Sequence, residues 1–416
     1  MRRAVCAALL GLLAGMATAA DYRAGSEDYR DYLRRLQAGD RLLLEPGDYV
    51  QGLPLHRLTG QAGRPIVIEA ANPAAPPRFI ARARANTVSL VDARHLVVRH
   101  LELDGRNLPV DAVKAEGHSR YADFITLEHL YIHDHAASQQ NVGISTKCPA
   151  FGWVVRNNRI DGVGTGMYFG DSDGSDPFVA GVIEGNHVSR TLGYNLQVKH
   201  QKGRPPEHAD RHDTVIRHNV FSKQDAMPGP LARPNVLLGH FPLTGAGSED
   251  RYLVYGNLFL HNPSEALLQA EGRVAIYDNV FINGSGDAVR IRPHNDVPRD
   301  MDIFSNTVLA SGTGIQVRQA AGAGYRQRVI GNVVAAAAPL LAGEAAHNVT
   351  LDFQPKFLAV VPAELTSLLL DSSPAWSRLP QARVHELEAY PAWQRAAHPG
   401  ARIAPALLRA MDGPPP

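Results

Sequence analysis

Aliphatic residues recur along this chain in one short frame. An aliphatic position, two polar or small residues, an asparagine, any residue and then an aliphatic or phenylalanine occur at residues 155–160, 183–188, 216–221, 254–259, 276–281, 303–308 and 329–334. Two earlier copies, 98–103 and 127–132, keep the aliphatic frame but carry Leu101 and Leu130 in the asparagine column. Along that column the nine copies are spaced by 29, 28, 28, 33, 38, 22, 27 and 26 residues. Alternation over five or six residues is a strand signal, and a unit of this length leaves no room for a helix as well. Strands of successive units must then stack in parallel, each unit packing on its neighbours. The repeat therefore predicts an all-β chain, a single-stranded right-handed parallel β-helix. Asn158, Asn186, Asn219, Asn257, Asn279, Asn306 and Asn332 would share one corner, because identical amides one coil apart can bond to each other and to turn backbone.

A second strand follows most of these motifs, opened by a small or turn residue, at 166–169, 195–199, 266–268, 288–292 and 314–318. Alternation assigns Met167, Leu196, Leu267, Val289 and Ile315 to the core. Tyr168, Gln197, Leu268, Arg290 and Gln316 then point outward, followed two residues on by Gly170, Lys199, Ala270, Arg292 and Arg318. Chemistry is to be sought on this outward face.

The ends read differently. Residues 26–37 predict a short amphipathic helix with Ser26 as N-cap and Tyr29, Leu33 and Leu36 on one side, which would cover the open edge of the first coil. Ahead of it, Arg2 and Arg3, an apolar stretch over 4–16 and the small residues Ala17 and Ala19 have the form of a secretory signal peptide cleaved near Ala19. The plan is thus a signal peptide (1–20), an N-terminal cap helix (21–38), the solenoid (39–335) and a C-terminal cap with an irregular Ala/Pro-rich arm (336–416) containing Trp376. Export to the periplasm or the medium is expected, with no membrane span, since no later stretch is long and apolar enough. The chain carries 42 basic and 41 acidic residues, so loss of Arg2 and Arg3 leaves a net charge near −1 and no global field for nucleic acid. Cys148 would be the sole cysteine after processing, so stability must come from packing.

The run Gly39-Asp40-Arg41-Leu42-Leu43-Leu44-Glu45-Pro46-Gly47-Asp48-Tyr49, with Thr59-Gly60 and Arg64-Pro65-Ile66-Val67-Ile68, resembles the amino-terminal coils of pectate-lyase-like β-helix proteins. Within that group it looks most like the alginate lyase and chondroitinase B family of polysaccharide lyases, over roughly residues 38–335. The resemblance implies a lysine base, Lys199, that abstracts the proton alpha to a uronate carboxylate so that the glycosidic oxygen leaves by β-elimination. His240 or an arginine such as Arg292 would neutralise the carboxylate. Two departures stand out. Where the resembling family keeps an arginine one coil beyond its lysine, this chain has Leu238-Gly239-His240, and where that family keeps acidic calcium ligands it has Leu192 and Tyr194.

Arg290, Arg292, His294 and Arg318 on one sheet face would repel each other, and an anionic ligand would relieve that. With Tyr168 and Gln197 they are the candidate substrate-binding residues. Asp171, Asp173 and Asp176 alternate in an acidic loop that could hold calcium, although the loop has no closing glutamate and also reads as a polar turn. His133 and His135 show no zinc spacing. The expected function is a polysaccharide lyase acting on a uronate-containing anionic polymer, working as a monomer, without a certain cofactor. A non-catalytic binder of acidic polysaccharide, a uronan C5-epimerase and a glycoside hydrolase are the alternatives, the last requiring a close carboxylate pair.

Overall fold

The amide stack is the feature that fixes the register of the whole molecule. In the computed structural model, which describes residues 19–224, 233–318, 324–373, 377, 385–393 and 399–402, each asparagine amide from Asn158 onward donates to the carboxamide oxygen of the next at 2.9–3.0 Å. Each also donates to a backbone carbonyl one coil back, as Asn186 does to Val155 at 2.8 Å. Buried amides are thereby satisfied on both sides, which is what allows them inside an aliphatic frame. Leu130 closes the stack by donating its backbone N–H to Asn158 Oδ1 at 2.9 Å. The stack runs one member further than the repeat predicts, to Asn348.

Just before the column the backbone turns through the left-handed region in coil after coil: His100, His129, Asn157, His218, Asp278, Ser305 and His347 have φ of 51–57°, and Gly185, Gly256 and Gly331 take the same place. Three ladders of parallel strands result. One runs from Asp21–Ala24 to Glu344–Ala346 on the side preceding the asparagines. The other two follow the asparagines and are joined through the long strand Thr307–Val317, which pairs with both. Leu127, Val155, Ile183, Ile216, Val254, Ile276, Ile303 and Val329 form one fully buried column, each side chain contributing about 1.5–3 kcal/mol by leaving water.

Four expectations need correction. The strand Asp21–Ala24 already pairs with Arg41–Leu44, so the solenoid begins before residue 39. It also continues past 335 to Val349–Leu351, which pairs with Val333–Leu341. The N-terminal helix spans only Tyr29–Leu33, with Asp28 rather than Ser26 at its N-cap, although Tyr29, Leu33 and Leu36 are buried as expected. The C-terminal arm contains a regular element, the helix Pro362–Asp371, started by a proline at its first position. Further along, Leu387 and Tyr390 cover an apolar outer patch where Tyr255, Tyr277 and Phe304 stack at 4.8 and 4.9 Å. Most of the expected signal segment (1–18) and Trp376 lie outside the described residues.

Candidate functional site

The third ladder carries the outward face, and its register corrects one coil of the expected columns. Leu268, not Leu267, pairs with Val289 and Val236, so Leu268 points inward and Gln269 takes the outward place beside Arg290. Two residues on, the column therefore holds Glu271 rather than Ala270. The remaining assignments hold: Ser145, Tyr168 and Gln197 are neighbours on successive coils, as are Arg290 and Gln316.

On the N-terminal half of this face lies a cleft of about 540 Å³ whose walls include Lys114, Lys147, Lys199, Arg233, Tyr168, Tyr194 and Gln197. Lys199 follows the strand Leu196–Val198 and Lys147 follows Val142–Thr146, with Gly170 on the coil between. Gly170 has φ +87°, which favours glycine, and a β-carbon there would come within 3.2 Å of Lys199 Cβ, so glycine leaves room beside the lysine stem. Lys147 Nζ stands 3.5 Å from the Tyr168 ring centroid and 3.4 Å from Gly170 O.

Burial lowers the proton affinity of both amines. For Lys147 burial, aided by the charges of Lys114 and Lys199 and opposed by Asp111 and Asp171, brings the pKa down to about 8. For Lys199 burial pulls the value below the ordinary lysine range against the opposing charges of Asp171 and Glu271. The Tyr168 phenol is pushed up, chiefly by burial, so it keeps its proton, and its oxygen lies 3.2 Å from Ser172 Oγ. Among the described residues Asp111 is the one carboxylate in the cleft wall. It is engaged by Lys114 at 3.3 Å, by the Val142 N–H at 2.9 Å and by Ser145 Oγ at 3.3 Å.

Lys147 was not among the residues singled out from the sequence. Its coil has Leu130 in the asparagine column, so the repeat does not mark the strand that follows. The signal was nonetheless present: Gly143-Ile144-Ser145-Thr146-Lys147 has the same small, inward, outward order as Gly166-Met167-Tyr168-Phe169-Gly170.

The other expected site residues are placed elsewhere. His240 is buried, with Nδ1 2.7 Å from Phe241 O and its ring 5.3 Å from that of His200, and it forms no part of the cleft wall. A β-carbon on Gly239 would fall 2.4 Å from His200 N, so this backbone has no room for a side chain there. Arg290, Arg292 and Arg318 do gather, but around a separate cavity of about 420 Å³. Arg290 is ion-paired there with Glu265 at 2.8 Å and with Asp287, and Arg292 donates to Gln269 Oε1 at 3.3 Å. Between the two clusters Glu271, fully buried, accepts the backbone N–H groups of His294, Asn295 and Asp296 at 2.9, 2.6 and 2.9 Å. His294 itself is exposed.

In the acidic loop, Asp171 accepts the N–H groups of Gly174 and Asp176 at 3.0 and 3.1 Å and the Ser175 hydroxyl at 3.3 Å, while Asp173 accepts the Ser175 N–H at 2.9 Å. These oxygens hold their own turn together, so the loop fits a polar turn better than a calcium cage. Among the described residues the one convergent group of metal-ligating side chains is Asp104, His133 and Asp134. It is internally paired: Asp104 with Arg78, and His133 with Asp134 at 2.8 Å and Glu102 at 3.2 Å.

Fold and cleft together define a right-handed parallel β-helix with a lysine-lined cleft on one face. No protein-family model matches the chain, and no curated protein sequence matches it. Among solved structures it is similar to the PL6 family alginate lyase AlyGC, at 14% identity and a TM-score of 0.46, over 80% of this chain and 53% of that one. It is similar also to the GH136 lacto-N-biosidase from Eubacterium ramulus (15%, TM-score 0.47, 80% and 68% of the two chains). A third is the pectate lyase Pel9A (14%, TM-score 0.44, 80% of each chain). The chain spans about half the length of AlyGC.

Proposed function

We propose that this protein is an exported, carbohydrate-active β-helix that cleaves a uronate-containing polysaccharide by β-elimination in the Lys147–Lys199 cleft. The observation that carries the reading is the pair of half-buried amines on either side of Gly170, both with lowered proton affinity, in a cleft whose single carboxylate is already engaged. β-Elimination needs an amine that is partly unprotonated near neutrality and a second cation to neutralise the uronate carboxylate. One amine of the pair takes the proton alpha to the carboxylate, and the other holds the carboxylate. The C–O bond to the neighbouring sugar then breaks as the carbon–carbon double bond forms. Tyr168, kept protonated by burial, is placed to return a proton to the leaving oxygen.

A two-carboxylate hydrolase finds no support in the cleft, because Asp111 has no acidic partner on the walls and is tied to Lys114. A binding role without turnover is favoured by one observation, the lack of room for a cationic side chain at Gly239, against the His200 backbone. Incubating the purified protein with polyuronates and glycosaminoglycans while following the absorbance of unsaturated ends separates the two. Lys147→Ala and Lys199→Ala should lower product formation by roughly a hundredfold or more, whereas no product from the native protein with any polymer would leave only the binding role.

A further inference from the structure

We infer that the groove does not end at the lysine cleft but continues into a second anion-binding cavity at the N-terminal end of the solenoid, where further acidic units of the same polymer are held by Arg30, Arg82 and Arg84. The inference rests on the proposed function and extends it from a cleavage point to a site for an extended chain.

The second cavity, of about 570 Å³, is lined by these three arginines and by His56, His118 and Glu116. It shares Asn86, Pro109 and Val110 with the lysine cleft, so the two form one trough along the solenoid axis. The registers of the intervening strands place Pro54, Ser89, Lys114, Ser145, Tyr168 and Gln197 on successive coils. At the ~4.8 Å spacing of parallel strands this trough is roughly 24 Å long, enough for several sugar units.

The charge distribution argues for a polyanion. Among the described residues, seven lysine and arginine side chains line the trough against two carboxylates, Asp111 and Glu116, in a chain whose basic and acidic totals are nearly equal. Asp111 is ion-paired with Lys114 at 3.3 Å, and among the described residues Glu116 forms no ion pair with the N-terminal arginines. Glu116 Oε1 accepts Asn86 Nδ2 and Ser89 Oγ, each at 2.9 Å, and Ser89 Oγ lies 3.0 Å from His56 Nε2, so the acid is built into the floor. Among the described residues Arg30, Arg82 and Arg84 make no ion pair. Arg82 and Arg84 are exposed, and Arg30 reaches only Gln51, at 3.2 Å.

The N-terminal helix acquires a second role here. Tyr29 is fully buried with its hydroxyl on Gly52 O, and this anchor sets the next residue, Arg30, at the rim. Planar guanidinium groups can take either a carboxylate or a sulfate in bidentate fashion, so the shared chemistry is that of an oxyanion repeated along a glycan.

The test is a binding series on the intact chain. Oligomannuronates and oligogalacturonates of two to eight units form one arm, and chondroitin sulfate oligosaccharides of matching length form the other. Each is titrated into the native protein and into the double variant Arg82→Ser/Arg84→Ser, both positions being exposed, with the circular dichroism spectrum checking that the variant folds as the native protein does. Native affinity should rise with length in one arm, and the variant should stop rising once the ligand outgrows the lysine cleft, losing about tenfold or more on the longest oligomer. The arm in which this happens identifies carboxylate or sulfate as the recognised group. Equal length dependence in native protein and variant would overturn the second cavity and leave the lysine cleft untouched. No affinity of the native protein for any acidic oligomer would overturn both.

Discussion

The two halves of the third face carry cations in the same columns, yet they differ in what those cations can do. In the N-terminal half Lys147 and Lys199 stand in a cleft with one engaged carboxylate, and burial lowers their proton affinity. In the C-terminal half Arg290 is bound to Glu265 and Asp287, Arg292 leans on Gln269, and the buried Glu271 interrupts the column. A row of like charges on a sheet is therefore not by itself a site. The carboxylates around it, on the same coil or its neighbour, decide whether a cation is spent on the fold or left for a ligand.

This contrast can be broken by substitution. The largest effect should come from the lysines: Lys147→Ala or Lys199→Ala should lower turnover of a reactive polyuronate by roughly 10²–10⁴-fold, the usual range for losing a general base or its partner, as followed by the absorbance of unsaturated ends. Glu271→Ala should come next, and in stability rather than chemistry. Four backbone N–H groups, those of His240, His294, Asn295 and Asp296, would lose their acceptor, costing about 2–4 kcal/mol, readable as a lower urea midpoint with an unchanged slope. Arg290→Ala should do least, about 1 kcal/mol of stability and less than a twofold change in turnover, because its charge is already satisfied by Glu265 and Asp287. An Arg290 variant as inactive as the lysine variants would dissolve the distinction between the halves.

The fold was readable because the asparagine frame repeats, and a repeat constrains many residues with one rule. It blurred where the rule became ambiguous. Leu267 and Leu268 are both fully buried, so alternation could be started on either, and the wrong start hid Gln269 and Glu271. Asn348 escaped because it follows Asn332 by only 16 residues, shorter than any other coil. The strand Asp21–Ala24 has no repeat copy at all and is held by pairing with Arg41–Leu44. Of the candidate site, Lys199, Tyr168 and Gln197 were recognised and do share one cleft. His240 was chosen for its place in the chain, but its side chain turns to His200 and Phe241 instead. Lys147 was missed although its strand carries the same small, inward, outward order, because its coil lacks the asparagine and its lowered proton affinity comes from burial, which periodicity does not report.

The buried amines also set a pH dependence of stability. Lys147 falls to about 8 and Lys223 to about 7, both chiefly through burial, whereas an unfolded lysine titrates near 10.5. The unfolded chain thus binds more protons than the folded one over that interval, and stability rises with pH between them. Urea midpoints at pH 7 and pH 9 should show the higher value at pH 9. Lys147→Met should flatten part of the rise.

The most direct test of the central claim is the pH dependence of kcat/KM for formation of unsaturated ends from the polyuronate that reacts best. A base whose pKa lies near 8 predicts a rate that climbs with pH through that value and then levels, with the climb lost in Lys147→Ala. A native protein that yields no unsaturated product from any polyuronate across that pH range would contradict the account.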